Sequence, residues 1–70
     1  MKLSTRNQLA GTVSEVTAGE AMAVVKVALE GGDLITSSIT REAAEDLGLE
    51  TGKRVVVLIK STDVGIGVED

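Results

Sequence analysis

The chain has 70 residues, no cysteine, histidine, proline or aromatic residue, and a formal charge of −4 from 7 Lys and Arg against 11 Asp and Glu. Those absences exclude a disulfide framework, a His-based metal clip, thiol or imidazole catalysis, and the base stacking by which single-stranded nucleic acid is usually held. The acidic balance opposes general binding to polyanions, which are drawn to positive fields.

A chain this short is at most one domain, here residues 1–70, and such a domain buries only about 60% of the surface its unfolded chain exposes. With no disulfide or metal available, oligomerisation is the remaining common source of stability. The chain is 43% hydrophobic and rich in Val, Ile and Leu, more apolar surface than one small core can use. An obligate homo-oligomer is expected. There is no signal peptide and no apolar run of about 18 residues, so the expected location is the cytoplasm, away from membranes. The initial Met directly before the first motif favours a free-standing protein.

Period-two alternation predicts a first strand from about Asn7 to Thr17, with Leu9, Gly11 and Val13 on one face. The phase slips before Val16, which predicts a β-bulge or sharp bend. Ala18-Gly19-Glu20 forms the first turn, and Met22 to Leu29 the second strand. Val24, Val25, Val27 and Leu29 load both faces of that strand, which implies burial on both sides and points to a subunit interface. Gly31-Gly32-Asp33 is a tight-turn signal, and Leu34 to Thr40 returns as strand three.

Thr40 occupies an N-cap position before the short helix Arg41 to Leu47, with Ala43, Ala44 and Leu47 on one side and Gly48 as the stop. Position 43 is Ala where a capping box would have Glu or Gln. The turn Glu50-Thr51-Gly52-Lys53 leads into Arg54 to Lys60, whose unbroken Val55-Val56-Val57-Leu58-Ile59 again implies burial on both faces. Val64, Ile66 and Val68 alternate with Gly65, Gly67 and Glu69 as a short last strand. Three strands, a helix and two strands is the order of a five-stranded OB-type barrel, so the expected fold is mainly β, an OB-like barrel with one short helix between strands 3 and 4, assembled as an oligomer.

Carboxylates are plentiful but fall in no catalytic motif. Glu42, Glu45 and Asp46 make a solvated helix face. Gly65-Ile66-Gly67 lacks the following helix a phosphate loop needs, so it reads as strand with close backbone approach. An enzyme is not expected. The better candidates are Arg6, set among Ser4, Thr5, Asn7 and Gln8, and Lys60, followed by Ser61 and Thr62. A guanidinium fork, an ammonium and rotatable hydroxyls together suit a small tetrahedral oxyanion. The bland alternatives are solvation, or pairing of Lys60 with a carboxylate such as Asp63. Thr36, Ser37, Ser38 and Thr40 form a third hydroxyl cluster, which reads equally well as a polar strand face ending in an N-cap.

Several stretches carry a family pattern: Met1-Lys2-Leu3-Ser4-Thr5-Arg6-Asn7-Gln8-Leu9 with Gly11 and Val13, Gly31-Gly32-Asp33 before Ile35-Thr36 and Ile39-Thr40, Leu47-Gly48-Leu49 with Gly52, and Ile59-Lys60-Ser61-Thr62-Asp63-Val64. Across essentially its whole length the chain resembles the molbindins, small cytoplasmic molybdate-binding proteins also called Mop domains and related to TOBE domains of molybdate transporters and regulators. The resemblance implies an OB-like barrel assembled as a hexamer, a trimer of dimers, with molybdate or tungstate bound between subunits for molybdenum storage or homeostasis and no organic cofactor. It places Ser4 and Arg6 of one subunit and Thr40, Lys60 and Ser61 of another on the oxyanion. Related regulator domains have a serine at the position of Ala43, so a contact there would come from the backbone N–H, as would one at Thr5. Ser61 is Ala in some relatives, which makes its hydroxyl dispensable.

Two competing readings involve different chemistry. The segment from Ile39 to Val55 also resembles the swapped-hairpin DNA-binding domains of AbrB type, but the proline and the basic face those domains carry are missing. The other is an OB-like module with a purely structural role. Neither nucleic acid nor membrane is an expected partner.

Overall fold

A computed structural model describes all residues, Met1–Asp70. Four strands, β1 (Asn7–Ala18), β2 (Met22–Leu29), β3 (Leu34–Thr40) and β4 (Arg54–Ile59), form one antiparallel sheet in the order β3-β2-β1-β4. The helix α1 (Arg41–Asp46) joins β3 to β4, and a 3-10 turn, Ser61–Asp63, follows β4. The fold is a curled half-barrel.

β1 organises the sheet because it serves two partners in succession. Its first half pairs with β4, from Asn7 opposite Ile59 to Thr12 opposite Arg54, and its second half pairs with β2 as far as Ala18 opposite Ala23. Gly11 belongs to both ladders and lies so close to β2 that a Cβ would meet Ala28 O and Val27 Cγ1 at 2.7 Å. The phase slip before Val16 is a register shift between Val13 and Glu15, where Ser14 is the extra residue and its hydroxyl donates to Lys26 O at 3.2 Å. The bend curls the sheet around Val13, Val25 and Val27, with Val16, Leu29, Ile39, Leu49, Val55 and Val57 packed against them.

Local signals hold at the turns. Gly32 takes φ +99° in the β2–β3 hairpin, while Gly31 keeps an ordinary backbone. Thr40 caps α1, its Oγ1 accepting from Ala43 N at 3.1 Å, and Gly48 ends the helix at φ +63°. Lys53 Nζ donates to the Leu47 and Gly48 carbonyls at 2.7 and 3.3 Å, covering the helix end where the last turn has no basic residue.

Two expectations are corrected. The fifth strand is absent: residues 64–70 pair with nothing, and Val64, Ile66 and Val68 are 45%, 89% and 88% exposed. The chain leaving the 3-10 turn does not return to either open edge, β3 or β4, so the barrel stays open. Leu47 lies outside the helix as its C-cap and is exposed, leaving Ala44 as the buried helix residue, because a six-residue helix turns only one narrow face inward. The expectation that β2 and β4 are covered on both faces is met on one face within the single chain, while Met22, Val24, Val56 and Leu58 are open to solvent. Burial of the second face requires something beyond one chain.

Candidate functional site

The residues before β1 already follow its alternation. Leu3, Thr5 and Asn7 are half-buried, whereas Ser4, Arg6 and Gln8 are exposed, so Ser4 and Arg6 share an outward face. The Thr5 hydroxyl oxygen is buried and has no hydrogen-bond partner. The β1–β4 register then sets what lies at the same end as Arg6. Asn7 pairs with Ile59 as the last pair of that ladder, so Arg6 and Lys60 each lie one residue beyond it, at the same end of the sheet. Lys60 falls just outside β4, in extended backbone at φ −64° and ψ 143°, and Ser61 opens the 3-10 turn behind it.

Two of the seven cations are ion-paired. Arg41 pairs with Glu45 at 2.8 Å and Arg54 with Glu30 at 2.7 Å. Arg6 and Lys60 form no ion pair, and Asp63 does not pair with Lys60. Two like charges on adjacent strands repel. An anion held between them would remove that repulsion.

Thr40 lies elsewhere. It pairs with Met22, beside the Ala18–Ala23 end of β1, whereas Arg6 and Lys60 stand at the Asn7 end, up to about 36 Å away along an extended strand. The resemblance groups Lys60 and Ser61 with Thr40, but within one chain the register groups them with Ser4 and Arg6. The groove at Thr40 is lined by Glu20, Ala21, Arg41, Glu42 and Glu45, and its one cation is already paired with Glu45. Alone, that groove repels anions. The Ala43 N–H is taken by Thr40 Oγ1 and is therefore not a free donor here. The Thr40 hydroxyl, accepting that bond, keeps its own proton to donate.

Asn7, which the sequence presents as one more donor around Arg6, makes a specific contact in the fold. Its side-chain Nδ2 donates to Ile59 O at 3.0 Å. The available signal was an Asn, a residue depleted in strands, at the first position of one.

Residues 3–66 match the TOBE domain. The chain belongs to the TOBE domain family. This TOBE domain is 41% identical over 69 residues to a probable molybdenum-pterin-binding protein of Haemophilus influenzae, covering 99% of this chain and 100% of that protein. Among solved structures it superimposes on a molybdate-binding protein from Sporomusa ovata with a TM-score of 0.92 at 34% identity, over 97% of this chain and 100% of the other. It also matches ModG, described as a cytoplasmic molybdate-binding protein and solved with molybdate bound, with a TM-score of 0.84 at 44% identity, over 87% of this chain and 43% of that one. The swapped-hairpin reading of the Ile39–Val55 segment gives way to this match. No helix of the TOBE domain is long and apolar enough to cross a membrane.

Proposed function

We propose that this TOBE domain binds molybdate or tungstate as an intact tetrahedral oxyanion at an interface between copies of the chain, for molybdenum storage or homeostasis in the cytoplasm. The observation that carries the reading is that Arg6 and Lys60 both lie one residue beyond the last β1–β4 pair, at one end of the sheet, and both lack an anionic partner. Two cations balance a dianion. Ser4 on the face of Arg6 and Ser61 beside Lys60 add neutral donors, and Arg6 supplies the planar fork suited to two oxygens at once.

Thr40 can join this set only from a second copy. Its acidic groove and the cationic end of another chain are complementary, and closing one on the other excludes water and strengthens charge-assisted bonds. In that arrangement the Thr40 hydroxyl, and not the Ala43 N–H, is the donor; the Thr5 backbone N–H remains available beside Ser4. Selection against sulfate comes from pocket size, since molybdate and tungstate are larger.

The assembly has its own support. β3 and β4 present open edges on which Arg54 is the one charged residue, and such edges are normally covered. The exposed alternation of Val64, Ile66 and Val68 offers a strand with no partner in its own chain. A second copy would satisfy both, and a hexamer built as a trimer of dimers is the proposed end state. Because the ligand would bind only the assembled form, it would stabilise that form by mass action. The role is binding without catalysis.

Isothermal titration with molybdate, tungstate and sulfate tests the reading. Binding of the first two in clear preference to sulfate is expected, and equal or absent heats for all three would sink it.

A further inference from the structure

Arg6 and Lys60 flank the last β1–β4 pair, Asn7 with Ile59, and neither has an ion-pair partner in the chain. Unrestrained, two exposed cations at the frayed end of a strand pair would drift apart, and the pocket would have to be assembled each time an anion arrived. Ordering flexible groups on binding lowers affinity, and holding them in place beforehand raises it. The structure contains a restraint at the right place. Asn7 follows Arg6 directly, and its Nδ2 donates at 3.0 Å to the carbonyl of Ile59, the carbonyl of the peptide that links Ile59 to Lys60.

The geometry of this bond reaches both cations. Fixing the Ile59 carbonyl fixes the plane of the peptide that enters Lys60, where the backbone leaves β4 and starts the 3-10 turn. No side chain caps that turn; its own bonds run from Asp63 N to Lys60 O and from Val64 N to Ser61 O, and the Asn7 side chain adds its bond at the last ladder pair, just before Lys60. Asn7 is half-buried on the inward face, opposite to Arg6, so the restraint is built without occupying the space in which an anion would sit. An amide also adds no charge. A carboxylate at position 7 would offer no N–H to the carbonyl and would compete with the ligand for the cations.

We infer that Asn7 is a positioning residue for the oxyanion site, its side-chain amide clamping the Ile59–Lys60 peptide so that Lys60 and Ser61 are held beside Arg6 before the ligand arrives. This rests on the oxyanion reading proposed above. It predicts a loss in affinity without loss of the fold, of the size seen when groups that orient a ligand's direct contacts are removed, roughly tenfold.

The test uses the full chain and molybdate as the probe. Asn7→Leu, similar in size but lacking the donor, is expected to keep the melting midpoint and the assembled mass of the parent and to bind molybdate about tenfold more weakly. The same substitution made in a Lys60→Ala background is expected to cost little further affinity, because a residue acting through Lys60 has nothing left to position. Unchanged affinity in Asn7→Leu, or an equal loss with and without Lys60, would overturn the inference. Should Asn7→Leu fail to fold, Asn7→Ser replaces it in the same cycle, and failure of both to fold would make Asn7 a purely structural residue and overturn the inference as well. No molybdate binding by the parent chain would instead remove the oxyanion reading itself, which separates the two failures.

Discussion

Thr40 Oγ1 accepts the Ala43 N–H at 3.1 Å, so one hydroxyl both starts α1 and faces the groove between Glu20 and Glu42. The two roles can be separated. Thr40→Asp preserves a capping oxygen but adds a fourth negative charge to the groove. It is expected to melt within a few degrees of the parent and to lose molybdate binding. Thr40→Ala should lose about 1 kcal/mol through the missing cap as well as affinity, and Thr40→Ser should keep both. Thermal melts paired with titration calorimetry distinguish these patterns; full affinity in Thr40→Asp would remove Thr40 from the site.

Removing a charge at the cationic end should weaken binding and leave the fold alone. Neither Arg6 nor Lys60 makes an ion pair or hydrogen bond through its side chain within the chain, so Arg6→Ala and Lys60→Ala break no contact there. Each relieves a like-charge neighbour instead. Melting midpoints equal to or above that of the ligand-free parent are expected, with molybdate affinity lower by tenfold or more, about 1.4 kcal/mol. If Arg6→Ala unfolds the chain, Arg6 is structural.

Thr5 offers the opposite control. Its hydroxyl oxygen is buried without a partner, and an unsatisfied buried polar group costs about 1–3 kcal/mol. Thr5→Val keeps the shape and removes the group. Denaturant titration should show equal or greater stability, and calorimetry an unchanged molybdate affinity. A fall in affinity would mean that the hydroxyl turns toward the anion in the assembled protein.

Gly11 should tolerate no side chain. A Cβ there would stand 2.7 Å from Ala28 O and from Val27 Cγ1, so Gly11→Ala must push β1 away from β2 at the centre of the sheet. A loss of about 1–3 kcal/mol in chemical denaturation is expected, by the usual cost of overpacking. Stability equal to the parent would show that the β1–β2 spacing is looser than described.

Truncation after Asp63 addresses assembly. The segment 64–70 pairs with no strand in its own chain, so its removal leaves all four strands and the core in place. Light scattering should report loss of the assembled mass, and circular dichroism a retained β signature. An unchanged mass would place the interface elsewhere, on the open faces carrying Met22 and Val24 or Val56 and Leu58.

What was legible in the sequence was short-range. The bulge showed as a slipped alternation before Val16, the cap as Thr40 ahead of an Ala-rich turn, and the hairpin as paired glycines, since each depends on residues a few positions apart. The alternation of Val64, Ile66 and Val68 was equally legible, yet it made no strand. A strand needs an edge as well as a pattern, and the nearest edges lie where the chain after Asp63 does not go. The unbroken run from Val55 to Ile59 correctly marked a strand that two environments must cover, but only one of those environments is in this chain.

The candidate site divides in the same way. Composition and local pattern determined that Arg6 and Lys60 are cations set among hydroxyls, and that no acid–base or thiol chemistry accompanies them. Which of them share an end of the sheet was decided by the register of β1 against β4, a pairing between residues 52 positions apart that brought Lys60 and Arg6 to one end, bound Asn7 to Ile59 and left Thr40 at the other end. Local signals follow from a few adjacent dihedrals and side chains. Register follows from the packing of whole faces and a bulge at one residue, so it is settled only when the sheet closes around its core.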